Sequence, residues 1–119
     1  MDSNTTIEDL KTLIKEFNSD RDWDQFHNAK DLAIAISTEA AEVLEHFVYK
    51  SNEEVEAIFK GTKKSEIEDE VADVFWTVLM LCERYNIDLS DSLKKKMEKT
   101  AKKYPIEKAR GSNKKYNEL

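Results

Sequence analysis

The sequence is poor in the residues that bend a chain. Its 119 residues include two Gly and one Pro, too few for the many turns of a multi-stranded β fold, which leaves a few long helices. Cysteine is almost missing. Cys82 alone excludes an internal disulfide and a thiolate metal cluster, and suits a reducing compartment, so a cytoplasmic location is expected. No apolar run reaches the roughly 20 residues that a membrane span requires. The opening MDSNTTIEDL has no basic region followed by an apolar block, so no signal peptide is expected. What the chain does have is charge, at 37% of residues against 39% hydrophobic. The apolar residues recur at helical spacing, which marks a charged helical domain rather than a disordered one.

That charge is unevenly spread. Residues 94–119 hold ten Lys/Arg and three Glu, a net +7, whereas residues 1–93 hold nine Lys/Arg and twenty-two Asp/Glu, a net −13. An acidic body with a basic end suits a phosphorylated ligand bound through metal ions on one side and Lys or Arg on the other. A solvated basic helix followed by a loose tail gives the same pattern.

Five helices are predicted. The first starts at Thr5 or Thr6, where Thr5 and Glu8 read as a capping box, and continues through Ile7, Leu10, Leu13, Ile14 and Phe17. The segment NSDRDWDQFHNAK, residues 18–30, is a polar connection carrying Trp23, Phe26 and His27. Helix two, about Asp31 to Tyr49, is apolar on most sides and must be covered on several faces. A short helix over Asn52–Lys60 stops at Gly61. The next is expected to begin with a Ser65–Glu68 capping box and to run to about Tyr85, with Asn86 as its stop. The last runs from about Ser90 to Tyr104 and ends at Pro105, after which residues 106–119 read as a polar tail. The fold class is therefore an all-α bundle, with a domain over residues 1–105 and a basic tail over 106–119. Helices two and four are too apolar for a small monomer, and an obligate homo-oligomer is expected to bury their free faces.

Two apolar stretches carry misplaced acids. In LAIAISTEAAEVL, residues 32–44, the only charges are Glu39 and Glu42; in EVADVFWTVLMLC, residues 70–82, they are Glu70 and Asp73. Side chains three apart on a helix are neighbours, so each pair sets two carboxylates side by side. Other pairs share that spacing, such as Glu53/Glu56 and Glu66/Asp69, but these read as solvated faces. Antiparallel packing of helices two and four would gather all four apolar-embedded acids. Such a cluster needs cations, because even one isolated carboxylate out of water prefers to neutralise. Neither stretch contains Lys or Arg, and oxygen-only ligands favour Mg²⁺ or Mn²⁺. Di-iron bundles use Glu-x-x-His on two helices; no His sits at that spacing here.

Taken together, these stretches resemble the MazG-like nucleoside triphosphate pyrophosphohydrolases, and among them the small dCTP pyrophosphatase type. The family's Glu-x-x-Glu, spacer, Glu-x-x-Asp is similar to Glu39, Glu42, a 27-residue spacer, Glu70 and Asp73. RDWDQFHNAKDLAIAISTEAAEVLEHF, DEVADVFWTVLML and KYPIEKARGSNKKY resemble further family segments in the same order. The resemblance implies a helical bundle that packs across a homodimer or a dimer of dimers. It also implies Mg²⁺-dependent hydrolysis of a dNTP, dCTP or a relative, to the monophosphate and pyrophosphate, for pool control or removal of non-canonical nucleotides. Glu39, Glu42, Glu70 and Asp73 would be the metal ligands and catalytic acids, with Glu42 the first candidate for the base. Trp23, Asp24, Gln25, Phe26 and His27 would line the base and sugar pocket, and Tyr49, where relatives often carry Trp, would stack on a base. Thr77, one turn beyond Asp73, should face the substrate. Lys96, Lys103 and Arg110 would hold the phosphate tail, and Tyr104 would be a further substrate contact or a core residue. Three positions depart from the family pattern: Ile14 stands where some relatives have His, Thr77 where some have Tyr, and Thr100 where Asn is common. Substrate choice is what they put in question, not the metal site.

Trp76 and Cys82 read as packing, and His46 as lying at the edge of the site. Three other readings compete: a related all-α dUTPase or broad dNTP pyrophosphatase, a non-catalytic helical regulator, and a nucleic-acid binder using the basic end, which the acidic body disfavours. No membrane partner and no stable nucleic-acid partner are expected.

Overall fold

Most of the helices begin where a nearby side chain can replace the hydrogen bonds a helix end lacks. In the computed structural model, which describes residues 1–119, α1 spans Ile7–Asp20. Thr6 caps it: its Oγ1 accepts the Asp9 N–H at 3.0 Å, and Asp9 Oδ2 accepts the Thr6 N–H at 2.9 Å. The capping box is thus Thr6–Asp9, one residue beyond the expected Thr5–Glu8, and the Thr5 hydroxyl instead donates to Asn4 Oδ1 at 3.3 Å. The Thr6 backbone N–H first, and the Thr6 hydroxyl second, hold the Asp9 carboxyl below the usual carboxylate range.

A single 3₁₀ turn, Asp24–Phe26, leads to α2, Ala29–Glu45, capped by Asn28. α2 ends four residues before the expected Tyr49. His46–Tyr49 forms a turn in which Tyr49 has φ +63°, a left-handed backbone that no α-helix continues through. α3, Asn52–Lys60, has a Ser51–Glu54 capping box and stops at Gly61, as its sequence indicates. α4, Lys64–Arg84, starts without a side-chain cap. The expected Ser65–Glu68 box is not formed, because both residues already lie inside the helix: Ser65 donates to the Thr62 carbonyl at 3.2 Å and Glu68 meets Lys64 at 3.5 Å. Asn86, at φ +52°, follows the end of α4 as predicted.

α5, Leu89–Lys103, is capped by Asp88 and stops ahead of Pro105. The segment expected to be an aperiodic tail contains one short helix, α6, Ile106–Ala109, and a 3₁₀ turn, Tyr116–Glu118. No strand is present, and no helix is long and apolar enough to cross a membrane.

Two compact units divide the chain, residues 1–86 and 87–119. In the first, α4 is the central element. α2 packs along it most extensively, then α1, then α3. The core is thin: Leu32, Ile67, Leu79 and Cys82 are its buried apolar residues, and Asn18 is the one buried polar residue. Among the exposed large apolar side chains of this unit, two groups are contiguous. Leu10, Ala72 and Phe75 are shared by two adjoining hollows of about 860 and 280 Å³ between α1 and α4, and the rims include exposed Leu13 and Val71. A second exposed stripe runs down α2 and the turn after it, through Ile34, Ala41, Leu44 and Val48. In the second unit, the Tyr116 N–H donates to the Tyr104 hydroxyl at 3.2 Å. Their rings meet edge-on at 6.1 Å, and Lys103 Nζ lies 4.9 Å from the Tyr116 ring.

Candidate active site

The packing of α2 on α4 decides which acids meet. Glu39 and Glu42 lie on α2, Glu70 and Asp73 on α4, each pair one turn apart. One carboxylate oxygen from each of the four falls within 4.8 Å of the others, all four residues being half-buried. The other acid pairs of the same spacing stay exposed.

Like charges at this separation oppose ionisation, and so does loss of water. Glu39 responds most clearly. Its carboxyl is pushed above the usual range first by burial, then by the approach of the Glu42 carboxyl, then by the charges of Glu42, Asp73 and Glu70. Glu39 Oε2 is sealed from water and has no donor within reach. The contact with Glu42 becomes a hydrogen bond only when one carboxyl of the two carries a proton. Glu70 is raised as well, by the Glu42 carboxyl first and burial second, and His46 partly opposes the shift. His46 Nε2 stands 3.7 Å from Glu70 Oε1, at the margin of the cluster as expected. An orphaned carboxylate oxygen among four hard oxygen donors is a fit for a divalent cation of the Mg²⁺ type.

A cleft of about 180 Å³ opens beside the cluster. Glu39 and Asp73 form part of its wall, together with Asn18, Trp23, His27, Trp76, Thr77 and Met80. The predicted residues Trp23, His27 and Thr77 therefore reach this cleft. Asp24, Gln25 and Phe26 share the 3₁₀ turn between them but do not line it. Gln25 bonds back to Asp22 at 3.0 Å, and Phe26 is exposed. Thr77 is less available than its position suggests: its hydroxyl is tied to the carbonyls of Val74 at 2.9 Å and Asp73 at 3.2 Å. Tyr49 is fully exposed and lines no part of this cleft. Lys103 and Tyr104 belong to the second unit, in the cluster with Tyr116.

Three wall residues, Trp76, Asn18 and Met80, were not assigned to the site by the sequence. Trp76, read as packing, is held edge-on by Phe17 at 5.1 Å; Phe17 also meets Trp23 at 5.8 Å, and the Arg21 guanidinium covers the Phe17 ring at 3.6 Å. Asn18 was taken as the start of a polar connection. It lies instead at the end of α1, four residues beyond Ile14 and on the same apolar stripe. A polar residue at an apolar stripe position was the available signal.

Comparison with known proteins agrees with this geometry. The chain is 32% identical over 118 residues to the dCTP pyrophosphatase 1 of Bos taurus, covering 98% of this chain and 70% of that one. With the Homo sapiens dCTP pyrophosphatase 1 it shares 33% identity over 115 residues, 96% of this chain and 68% of the other. A pyrophosphatase crystal structure from Archaeoglobus fulgidus superposes with a TM-score of 0.78 at 39% identity, over 82% of this chain and 91% of that one. Residues 34–119, which include all four clustered acids, match the model of the MazG-like family, and the chain belongs to that family.

Proposed function

We propose that this nucleoside triphosphate pyrophosphohydrolase acts on dCTP or a closely related dNTP, releasing the monophosphate and pyrophosphate at a Mg²⁺ site made by Glu39, Glu42, Glu70 and Asp73. The observation that carries the reading is the convergence of these four carboxylates within 4.8 Å, in a chain whose relatives are named dCTP pyrophosphatase. Bound Mg²⁺ supplies the positive charge that four carboxylates and a triphosphate both require. Mn²⁺ suits the same donors.

The chain's own residues supply the rest. Burial and crowding raise Glu39 and Glu70 in the metal-free cluster; the charge of bound Mg²⁺ opposes that shift, and a carboxylate of the cluster left free of metal suits a base that takes a proton from attacking water. Glu42, which touches both, is placed to share that proton. Trp23 and His27 receive the base and sugar, walled by Trp76. Tyr49 offers an exposed ring for stacking, and Lys96, Lys103 and Arg110 of the second unit are the candidates for phosphate contacts, with Tyr104 a further substrate-binding candidate. Pool control or removal of non-canonical nucleotides in the cytoplasm is the corresponding role.

The two exposed apolar surfaces support a homo-oligomer. Isolated exposed apolar residues are ordinary, but contiguous ones mark an interaction surface. The α1–α4 hollows fit one interface and the α2 stripe a second, as a dimer or a dimer of dimers requires.

The test is Mg²⁺-dependent pyrophosphate release from a dNTP panel by the wild type and Asp73→Asn. Equal rates in the two proteins would sink the metal-site reading. The same panel separates dCTP hydrolysis from a dUTPase or a broad dNTP activity.

A further inference from the structure

The cleft beside the carboxylates contains one polar group that neither the metal site nor the fold accounts for. Asn18 is 3% exposed, the chain's only buried polar residue. Its side chain makes no hydrogen bond within the protein; its backbone carbonyl does. It is not sealed in either: Glu39 Oε2 is the one unpartnered side-chain atom fully shut off from water, and Asn18 lines the cleft.

Local structure gives the carboxamide no task. The turn after α1 uses the backbone of Asn18: its carbonyl accepts the N–H of Arg21 at 3.2 Å and of Trp23 at 3.0 Å. Any residue could provide that carbonyl. Water in the cleft can serve the amide in the free protein, and a ligand that displaces this water must replace its hydrogen bonds or lose affinity.

The other polar wall groups narrow what Asn18 would meet. Glu39 and Asp73 belong to the four-acid cluster. The Thr77 hydroxyl proton is committed to its own helix. Asn18 and His27 are left to read a neutral ligand edge, and the flat walls of Trp23 and Trp76 suit a planar ring. The cleft, about 180 Å³, is on the order of six water volumes at about 30 Å³ each, which suits one ring with the sugar and phosphates outside.

We propose that the Asn18 carboxamide hydrogen-bonds the Watson–Crick edge of a pyrimidine base in this cleft and sets the base preference of the enzyme. The inference rests on the nucleotide reading above. A carboxamide carries a donor and an acceptor side by side. It matches cytosine by accepting from the 4-amino group and donating to N3. Turned over, it matches uracil by donating to O4 and accepting from N3–H. No protein bond fixes which way it faces, so both pyrimidines are accepted.

The experiment measures equilibrium binding of dCMP, dUMP and dAMP to the full chain with Mg²⁺, for the wild type and Asn18→Leu, which keeps the branched side-chain skeleton and extends the apolar stripe. Loss of one such pairing corresponds to a roughly ten- to hundredfold weaker affinity. That loss is expected for dCMP and dUMP alike. dAMP should bind weakly to both proteins, and the melting temperature of the variant should not fall. The side-chain amide resonances of Asn18 in the wild type should shift on adding dCMP or dUMP; this readout decides the matter even if the variant fails to fold. Unchanged pyrimidine affinity in the variant, or unmoved amide resonances, overturns the proposal while leaving the hydrolase reading intact. A wild type that binds pyrimidine through Asn18 but releases no pyrophosphate from dNTPs retires the reaction and keeps the base contact. If no nucleotide binds, both fall.

Discussion

The two faces of α4 invert the usual arrangement of a soluble helix. Glu70 and Asp73 point into the seam with α2, half-buried among like charges. Val71 and Phe75, one and two residues further on, are exposed beside the hollows against α1. Charge lies inside and apolar surface outside. Each face is incomplete for its own physical reason: four carboxylates lack positive charge, and exposed rings and methyls lack cover. One helix thereby departs from ordinary packing in two opposite ways, and each departure fits one of the proposed partners, a small hard cation and a second copy of the chain.

Breaking the inner face should have the largest effect. Asp73→Asn is expected to lower kcat/KM for pyrophosphate release on the order of a hundredfold or more, whereas Glu66→Gln, on the same helix but exposed, should stay within about twofold. Steady-state kinetics on the two variants makes the comparison. Next in size is the outer face. Phe75→Glu should shift the oligomer toward smaller species in sedimentation or light scattering, because a charge would have to be buried in the interface; Glu66→Gln should not.

A thermal scan sharpens the inner face further. Mg²⁺ binding only the folded chain stabilises it by about 2.7 kcal/mol at a hundredfold excess over Kd. The wild type should therefore melt higher with Mg²⁺, and Asp73→Asn should lose most of that rise. Without metal, the sign of the pH dependence follows from the raised pKa values of Glu39 and Glu70. The folded chain then holds protons that the unfolded chain has released, so stability falls as pH rises from the ordinary carboxylate range through the raised values. Melting curves across pH in a chelator should show this decline, and Glu39→Gln should flatten it. The smallest effect belongs to a site far from either face: Thr6→Ala, which removes the α1 cap, should cost about 1 kcal/mol in denaturant unfolding and leave activity unchanged.

Much of this was legible in the sequence, and the exceptions follow a pattern. Apolar period and Gly61 were enough to place α3, and two acid pairs in apolar segments were enough to foresee the cluster, because spacing and composition are properties of one helix. Caps were less secure. Thr5 and Thr6 are equally good candidates, and the choice turns on Asp9 being close enough to answer Thr6. Ser65 and Glu68 have the spacing of a box but lie within a helix already under way. Tyr49 ends its own turn through a left-handed backbone that aromatic residues rarely adopt. Asn18 and Trp76 were missed because their roles depend on which helix face meets a cleft, a fact about three elements together.

Tyr49 carries one more implication. A non-glycine residue in the left-handed region holds local strain, and here the ring it bears is fully in solvent. A programme of stabilisation by substitution would choose this site early, since Gly or Asn relaxes such a backbone. The sturdier protein so obtained would be missing its most outward-facing aromatic ring. If that ring meets a base, gains in shelf life would be traded against turnover at a single codon, and screening for heat resistance alone would select the loss.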